Sequence, residues 1–183
     1  MRLFFAIELP ADVQASLGRL KPREENRDYR WSEPALLHVT LAFLGEQSPE
    51  QLDLLQQVGT AAAGASRPGT LRLGQAGSFG SRRAPRVLWV GLEGDLQVLS
   101  DLQARLAAGL HQAGFALDDR PFSPHVTLAR RREQARGGPP AGWPPADRLG
   151  HARFALDRLT LFQSRLSPRG PTYTPLFHFP LGG

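Results

Sequence analysis

The chain has 183 residues, 41% of them hydrophobic, and a formal net charge of +5 with an isoelectric point near 10.8. This length and composition indicate a globular protein of one unit or two small lobes. Cysteine is absent, which excludes disulfides, thiolate zinc sites, iron–sulfur clusters and a cysteine nucleophile. Lys21 is the only lysine, so the positive charge comes from arginine. It indicates either an anionic ligand such as nucleic acid or an arginine bias of the genome.

No segment of the sequence resembles a targeting or membrane-spanning element. The apolar run Phe4–Ile7 is short and is followed by Glu8, which does not fit a signal peptide. No apolar stretch approaches the roughly 20 residues that a membrane helix needs. Together with the lack of disulfides, these features predict a cytoplasmic protein with no membrane partner.

The order of predicted elements gives the fold class. The first half is predicted to contain a buried strand over Leu3–Leu9, a helix from Pro10 to about Leu20, a polar connection over 21–30, a strand over Leu36–Leu44 and a helix from Ser48 to about Ala63. The second half is predicted to contain strands over Thr70–Gln75 and Val87–Leu92, a helix from Asp95 to about His111, and strands over Phe122–Ala129, Arg153–Phe162 and Thr174–Leu181. Loops are predicted over Gly77–Pro85, Arg130–Pro145 and Pro168–Pro171. Strands outnumber helices and most pairings are expected to be antiparallel, so the predicted class is α+β.

One tetrapeptide, HVTL, occurs twice, at His38–Leu41 and at His125–Leu128. Each copy is preceded by an apolar strand that starts with arginine, by a helix and by a loop. The offset between the two lead-in arginines, Arg2 and Arg86, is 84 residues, and that between the two histidines is 87. Two features at nearly equal spacing indicate an internal duplication. The chain is therefore expected to be a single domain, residues 1–183, made of two interleaved similar lobes.

The repeated tripeptide His-x-Thr places two polar side chains on one face of a strand, because side chains alternate along a strand. His38 and Thr40 are expected to share one face, as are His125 and Thr127, while the intervening valines face a core. If the two halves pack about a pseudo-two-fold axis, both polar faces line one central cleft. The cleft would then contain two imidazoles and two hydroxyls.

Paired histidines around one centre have three possible uses. A two-histidine metal site lacks a third ligand at helical spacing, and a nucleophilic serine or threonine lacks a recognisable base and orienting carboxylate. General acid–base catalysis fits best, because a neutral imidazole can accept a proton from water while an imidazolium protonates a leaving oxygen. The threonine hydroxyls could hold a phosphate ester between the rings, and no metal or cofactor is required. The alternative is a purely structural role for each strand.

Other residues give weaker indications of a role in ligand binding. Trp31 and Phe79 could stack a nucleobase or could pack between lobes. The arginines at 82, 83, 86 and 130–136 could follow an RNA backbone or lie on a solvated face. His111, His151 and His178 lack the repeated context and are expected to be structural or surface residues.

The motifs resemble those of a known family. Three segments carry the resemblance: Arg2–Pro10, Arg30–Glu46 with its RW, P and LHVTLAFLGE elements, and Phe122–Arg130 with FSPHVTLAR. The C-terminal segments LTLFQS and GPTY also contribute. These are similar to the RNA 2',3'-cyclic phosphodiesterases of the 2H phosphoesterase superfamily, historically called 2'-5' RNA ligases.

This resemblance implies a bilobal, pseudo-two-fold fold with two antiparallel sheets, flanked by helices, around a central cleft. It implies hydrolysis of RNA 2',3'-cyclic phosphate ends to 2'-phosphomonoesters and a weak reverse reaction that joins tRNA-like halves through a 2'-5' bond. By position, His38 and His125 would be catalytic, and Thr40, Thr127 and Arg130 would bind substrate. His125 is expected to activate water and His38 to protonate O3', although the repeat allows the opposite assignment.

The expected partner is RNA with cyclic phosphate ends, including tRNA fragments, and the expected state is a monomer. One rival function is hydrolysis of small cyclic nucleotides or of ADP-ribose cyclic phosphate. A second rival, from a different class, is a non-catalytic RNA-binding module whose His-x-Thr strands only dock phosphate.

Overall fold

The computed structural model describes residues 1–22, 27–145, 153–168 and 170–182, which contain nine strands and three helices. The strands are β1 (Arg2–Glu8), β2 (Tyr29–Trp31), β3 (His38–Glu46), β4 (Gly69–Gly80), β5 (Pro85–Gly94), β6 (His125–Arg131), β7 (Arg153–Leu156), β8 (Arg158–Ser167) and β9 (Gly170–Pro180). The helices are α1 (Ala11–Gly18), α2 (Leu52–Gly64) and α3 (Leu96–Gln112), and short 3-10 turns at Pro34–Leu36 and Pro49–Gln51 precede β3 and α2. The predicted α+β class is confirmed.

The strands of the described residues form one antiparallel sheet in the order β7-β4-β5-β6-β3-β1-β8-β9, with β2 beside β6. The expectation of two separate sheets is therefore wrong, because the two HVTL strands lie side by side and join both halves. Their junction is narrow: β3 and β6 pair only at Val39 and Val126. Each strand pairs much more extensively with the strand that leads into its half, β3 with β1 and β6 with β5.

The three helices cover one face of the sheet and leave the other face open. Leu3, Phe5 and Ile7 of β1 are buried in the same apolar cluster as Val13 and Leu17 of α1. Helices α2 and α3 supply further buried members of that cluster: Leu55, Ala62, Leu99, Leu102, Leu106 and Leu110. Because side chains alternate along β1, Phe4 and Ala6 point to the opposite face, where they form a separate small cluster with Phe162. Polar residues of the HVTL strands can therefore lie only on the open face.

Two predicted boundaries differ from the structure. Strand β4 continues to Gly80, so most of the predicted loop Gly77–Pro85 is a paired hairpin, in which Phe79 lies opposite Val87. The predicted strand Arg153–Phe162 is two strands at distant positions in the sheet, β7 beside β4 and β8 beside β1. In β7 the residues of the main core are the even-numbered Phe154 and Leu156, whereas in β8 they are the odd-numbered Leu159 and Leu161. This change of parity marks the break between the two strands.

The other predicted elements agree to within a few residues. The Pro- and Gly-rich segment after β6 contains no helix or strand over 132–145, as predicted. Parts of three predictions lie outside the described residues: positions 23–26 of the polar connection, His151, and Arg169 of the last turn.

Candidate functional site

The narrow junction between β3 and β6 brings the two His-x-Thr motifs together. Val39 and Val126 are fully buried partners in the apolar core, so the residues on either side of each valine point to the open face. In an antiparallel pair centred on these valines, His38 lies towards Thr127, and Thr40 lies towards His125. The two motifs thus form a quartet of two imidazoles and two hydroxyls, as the sequence predicted.

Each HVTL strand contains a β-bulge at its leucine. On β1, Phe5 and Ala6 pair with Ala42 and Thr40, which leaves Leu41 without a partner. On β5, consecutive residues pair with Ala129 and Thr127, which leaves Leu128 without a partner in the same way. A bulge adds one residue to a strand and so reverses the alternation of side chains beyond it.

The bulge at Leu128 determines the position of Arg130. Arg130 is five residues after His125, and an odd offset in an unbroken strand would place it on the opposite face. After the bulge, the two side chains share the open face, and the burial pattern of β6 shows buried Leu128 and Ala129 followed by exposed Arg130. The structure therefore brings all five predicted site residues to the same face of the sheet.

Aromatic side chains from the outer strands lie against the rings of the two histidines. The Tyr173 ring on β9 lies 5.3 Å from the ring of His38, although β9 and β3 are three strand positions apart. In a flat sheet three positions span about 14 Å, so the sheet must curl strongly towards the open face. On the other side, the Phe79 ring on β4 lies 5.0 Å from the ring of His125. The open face is therefore a cleft with aromatic walls.

Each wall has a second ring. The Phe4 ring lies 4.9 Å from that of His38, and the Trp89 ring lies 6.3 Å from that of His125. Phe4 and Tyr173 also contact each other, with ring centroids 5.0 Å apart. The two imidazoles thus have similar surroundings, and these restrict the orientation of each ring.

The two histidines share the same backbone anchor. Nδ1–H of His38 donates to the carbonyl oxygen of Leu36, and Nδ1–H of His125 donates to that of Ser123, each over 2.7 Å. Because a carbonyl oxygen only accepts, each neutral ring must carry its proton on Nδ1 and leave Nε2 as the acceptor. The hydroxyl of Thr40 donates to Nε2 of His38 over 3.0 Å. Each histidine thus presents a basic nitrogen that can exchange protons with a ligand in the cleft.

The surroundings lower the pKa of both imidazoles. Burial is the main cause for His38, and the charges of Arg130 and His125 add to it, while the bond to Leu36 opposes it. Burial also lowers the pKa of His125, against the bond to Ser123, and Arg130 lowers it further. These shifts favour two neutral imidazoles at neutral pH. An anion bound beside Arg130 would offset its positive charge and favour an imidazolium.

The two aromatic residues suggested as base-stacking candidates, Phe79 and Trp31, lie in different parts of the structure. Phe79 is 37% exposed at the cleft and can contact a ligand there. Trp31 packs against Trp143, in the cluster with Tyr29, Leu88 and Ala129, so it belongs to the packing and not to the cleft.

The remaining described histidines do not join the quartet. His111 is an exposed residue near the end of α3. His178 lies on β9 beside Glu8 and the buried hydroxyl of Thr160, which donates to Oε1 of Glu8 over 2.7 Å. Sequence patterns did not identify Phe4, Trp89 or Tyr173 as wall residues, although Tyr173 lies in the GPTY segment that supported the family resemblance.

The described part of the chain offers neither a metal cluster nor a membrane-spanning helix. Within it, no group of three or more His, Asp or Glu side chains is arranged to hold a metal ion. None of its helices is long and apolar enough to cross a membrane.

The fold and site together define an α+β protein with a paired-histidine cleft on an antiparallel sheet. A family model described as the 2'-5' RNA ligase superfamily matches residues 9–167. The chain belongs to this superfamily, which confirms the resemblance seen in the sequence motifs.

Individual relatives match along nearly their whole lengths. A Thermus thermophilus protein named RNA 2',3'-cyclic phosphodiesterase is 35% identical, over 100% of this chain and 91% of its own. An Escherichia coli protein of the same name is 33% identical, over 96% of this chain and 93% of its own.

Two solved structures also match this chain along nearly their whole lengths. A crystal structure of a Thermus thermophilus protein superposes with a TM-score of 0.82 at 34% identity, covering 100% of this chain and 99% of that one. Escherichia coli LigT in complex with 3'-AMP superposes with a TM-score of 0.78 at 32% identity, covering 100% of this chain and 98% of that one. Both likenesses extend over all of the sheet and the three helices.

Proposed function

We propose that the protein is an RNA 2',3'-cyclic phosphodiesterase that opens cyclic phosphate ends to 2'-phosphomonoesters by metal-independent acid–base catalysis. The observation that carries this proposal is the paired anchor: two imidazoles, each fixed through Nδ1, present Nε2 to one cleft beside Arg130. The enzyme class is that of its relatives, several of which are named RNA 2',3'-cyclic phosphodiesterase. RNA is accordingly the expected partner.

In the proposed reaction, Nε2 of His125 accepts a proton from water as the water oxygen bonds to phosphorus. The bond from phosphorus to O3' breaks, and the imidazolium of His38 transfers its proton to O3'. The products are a free 3'-hydroxyl and a 2'-phosphate. Arg130 and the hydroxyls of Thr40 and Thr127 would hold the non-bridging oxygens, whose negative charge grows in the transition state.

Two observations bear on this assignment of roles. Among the described residues, Nε2 of His125 has no hydrogen-bond partner, so its lone pair is available for water. Nε2 of His38 accepts a hydrogen bond from Thr40, so this nitrogen must first take up a proton to act as the acid, and an anion bound beside Arg130 would favour that protonation. A ligand oxygen that replaces the hydroxyl would take up the position of the departing O3'.

The role of each histidine can be tested with a substrate whose leaving atom is sulfur. In a cyclic phosphorothiolate with sulfur at position 3', the leaving thiolate needs little protonation, because thiols have a pKa near 8.5, far below that of an alcohol. We expect His38→Ala to recover most of the wild-type rate on this substrate, while His125→Ala stays impaired. Recovery of His125→Ala alone would reverse the assignment, and recovery of neither would contradict the role of His38 as acid.

The identity of the product tests the reaction class. Wild-type protein should convert a cyclic-ended oligonucleotide into a single product with a 2'-phosphate, which ³¹P NMR distinguishes from a 3'-phosphate. A 3'-phosphate would exclude the proposed geometry. Binding without any turnover would favour the RNA-binding module.

Several finer features of the protein are part of the same proposal. The chain would be one domain of two interleaved, duplicated lobes, supported by the matching bulges and by the matching position of β1 and β5 beside the HVTL strands. It would act as a cytoplasmic monomer, with tRNA fragments among its substrates. The weak joining reaction would use the same quartet, with the 5'-hydroxyl of a second RNA in place of water.

A small cyclic nucleotide is the alternative substrate. The Escherichia coli LigT structure in complex with 3'-AMP shows that a relative binds a mononucleotide. The relative rates of hydrolysis of mononucleotide and oligonucleotide substrates distinguish the two possibilities.

A further inference from the structure

Arg30 and Arg130, the arginine pair, lie directly opposite each other on neighbouring strands. The register of β2 and β6 makes them partners, so both side chains leave the sheet on the same face. That face is the open one, because Arg130 shares it with the histidine quartet. Like charges directly opposite each other on paired strands destabilise a sheet. The fold therefore keeps an unfavourable pair of charges beside the cleft.

The described part of the chain does not neutralise the arginine pair. No carboxylate within it forms an ion pair with either guanidinium, whereas Arg72 pairs with Glu93 at 2.7 Å. Both arginines are exposed, so a ligand can reach them. A bound anion would offset the repulsion between the two guanidinium groups, so the arrangement favours anion binding.

The arginine pair lies next to the histidine quartet along β6. Strands β3 and β2 pair with successive stretches of the same edge of β6, at Val126 and at 129–131, while β5 occupies the other edge. Because the bulge adds one residue, Arg130 is two residue steps beyond Thr127, about 7 Å along the strand. Arg30, on the neighbouring strand, lies level with Arg130 and beyond the start of β3 at His38. Both side chains thus start one step from the quartet.

The charge of Arg130 already acts on the quartet. Burial lowers the pKa of His38 and of His125, and the charge of Arg130 lowers both further. Since Arg30 starts from the position opposite Arg130, its flexible side chain can reach the same anion.

The proposed reaction adds negative charge to the phosphate. A 2',3'-cyclic phosphate is a diester with one negative charge. Removal of a proton from the attacking water adds a second charge in the transition state, before the bond to O3' is fully broken. The 2'-phosphate product also has two charges above its second pKa, which is near 6. A site with two arginines therefore matches the transition state and the product better than the substrate.

We infer that the arginine pair binds this second charge, which makes Arg30 a further catalytic residue. Guanidinium groups match phosphate oxygens in a bidentate manner. Donors placed where charge develops stabilise the transition state more than the substrate. This inference rests on the proposed function and deepens it, because it adds a residue to the reaction at the same site.

The binding test compares two ligands that differ by one charge: uridine 2'-phosphate, a dianion at pH 8, and its monomethyl phosphate ester, a monoanion. Wild-type protein should bind the dianion about tenfold more tightly or better, as expected for one additional charged contact. In Arg30→Gln this preference should largely disappear, through weaker binding of the dianion. Arg30→Lys keeps the charge and should retain part of the preference.

Kinetics and stability distinguish a catalytic role of Arg30 from a structural one. Arg30→Gln should lower kcat about tenfold on a cyclic-ended oligonucleotide and leave KM nearly unchanged, because this interaction is made only in the transition state. Without phosphate, the variant should resist urea at least as well as the wild type, since the repulsion between like charges is removed. A rise in KM at unchanged kcat, or a clear loss of stability, would overturn the inference.

Arg67→Gln is the matched control, because it removes the same charge from an exposed residue in the connection between α2 and β4. It should leave both dissociation constants, kcat and KM at their wild-type values. If Arg67→Gln lost the dianion preference as Arg30→Gln does, the effect would come from net charge alone and the inference would be wrong.

The binding measurement also separates this inference from the proposed function. If no substrate is hydrolysed but Arg30→Gln still loses the dianion preference of the wild type, the proposed function fails and the anion site of the arginine pair stands. If the wild type binds dianion and monoanion equally, the site is refuted whatever the rate of turnover.

Discussion

At the scale of single residues, the chemistry of the cleft depends on how two imidazoles are held. Each ring donates from Nδ1 to the carbonyl two residues earlier, so the backbone fixes both orientation and tautomer. Burial and the charge of Arg130 then lower the pKa of both rings. The same surroundings that orient the histidines thus determine the pH range in which they could take the proposed roles of acid and base.

This pKa direction predicts the pH dependence of activity. The general acid must be protonated and the general base neutral, so kcat/KM reports the two pKa values of the free enzyme as a bell. Because both pKa values are lowered from about 6.5, the maximum should lie on the acidic side of that value. A profile of kcat/KM from pH 5 to 8 should therefore fall towards pH 8. A flat profile, or a maximum at pH 8, would contradict the paired-histidine mechanism.

At the scale of elements, the β-bulges matter most, because they decide which face each arginine of β6 occupies. Arg130 reaches the cleft, whereas the neighbouring Arg131 donates to the carbonyl oxygens of Ala135 and Gly137 over 2.7 and 2.8 Å. Arg130 is thus available for the proposed contact with substrate, whereas Arg131 is held by the loop that follows β6.

Parallel substitutions test this difference. Arg130→Gln should lower kcat/KM about 100-fold, the loss typical of one transition-state donor, with little effect on unfolding. Arg131→Gln should lower the free energy of unfolding by about 1–2 kcal/mol, as expected for lost hydrogen bonds from a charged group, and should largely preserve kcat/KM. Urea unfolding and steady-state kinetics measure both quantities. The opposite pattern would show that the bulge does not place Arg130 in the cleft.

The hairpin of β4 and β5 supplies a second test at this scale. The Trp89 ring occupies the space beside Gly77, where an added Cβ would lie 2.5 Å from two ring carbons. Gly77→Ala should therefore displace Trp89, and with it the wall beside His125. We expect altered tryptophan fluorescence and a several-fold loss of kcat/KM. Unchanged activity in Gly77→Ala would show that the wall does not position His125.

Much of this architecture could be predicted from the sequence. Apolar alternation located most strands and helices, and the repeat located the quartet, because both signals are local. The break at Asp157 was missed because two short apolar strands in succession look like one, although the shift of core positions from even to odd was visible. The cleft position of Arg130 could not be derived from strand alternation, since the bulge at Leu128 depends on pairing with β5.

At the scale of the whole molecule, the buried histidines couple folding to pH. Their lowered pKa values mean that the unfolded chain binds protons more readily than the folded one. Their contribution to stability is therefore complete above about pH 6.5 and is lost as the pH falls through the folded pKa values.

The free energy of unfolding of the wild type should thus decrease between pH 7 and pH 5. In the double variant His38→Gln, His125→Gln the decrease should be smaller, because these two groups no longer titrate. Urea unfolding at several pH values measures the difference. Identical slopes for the two proteins would contradict the proposed burial of neutral imidazoles.

The most direct test of the central claim is hydrolysis of a 2',3'-cyclic-phosphate-terminated oligonucleotide in excess EDTA by wild type, His38→Ala and His125→Ala. We predict turnover by the wild type and a loss of about 100-fold or more in each variant, as expected when a general acid or base is removed. Unimpaired variants would show that the two HVTL strands have only a structural role. Loss of wild-type activity in EDTA would show that a metal ion takes part in the reaction.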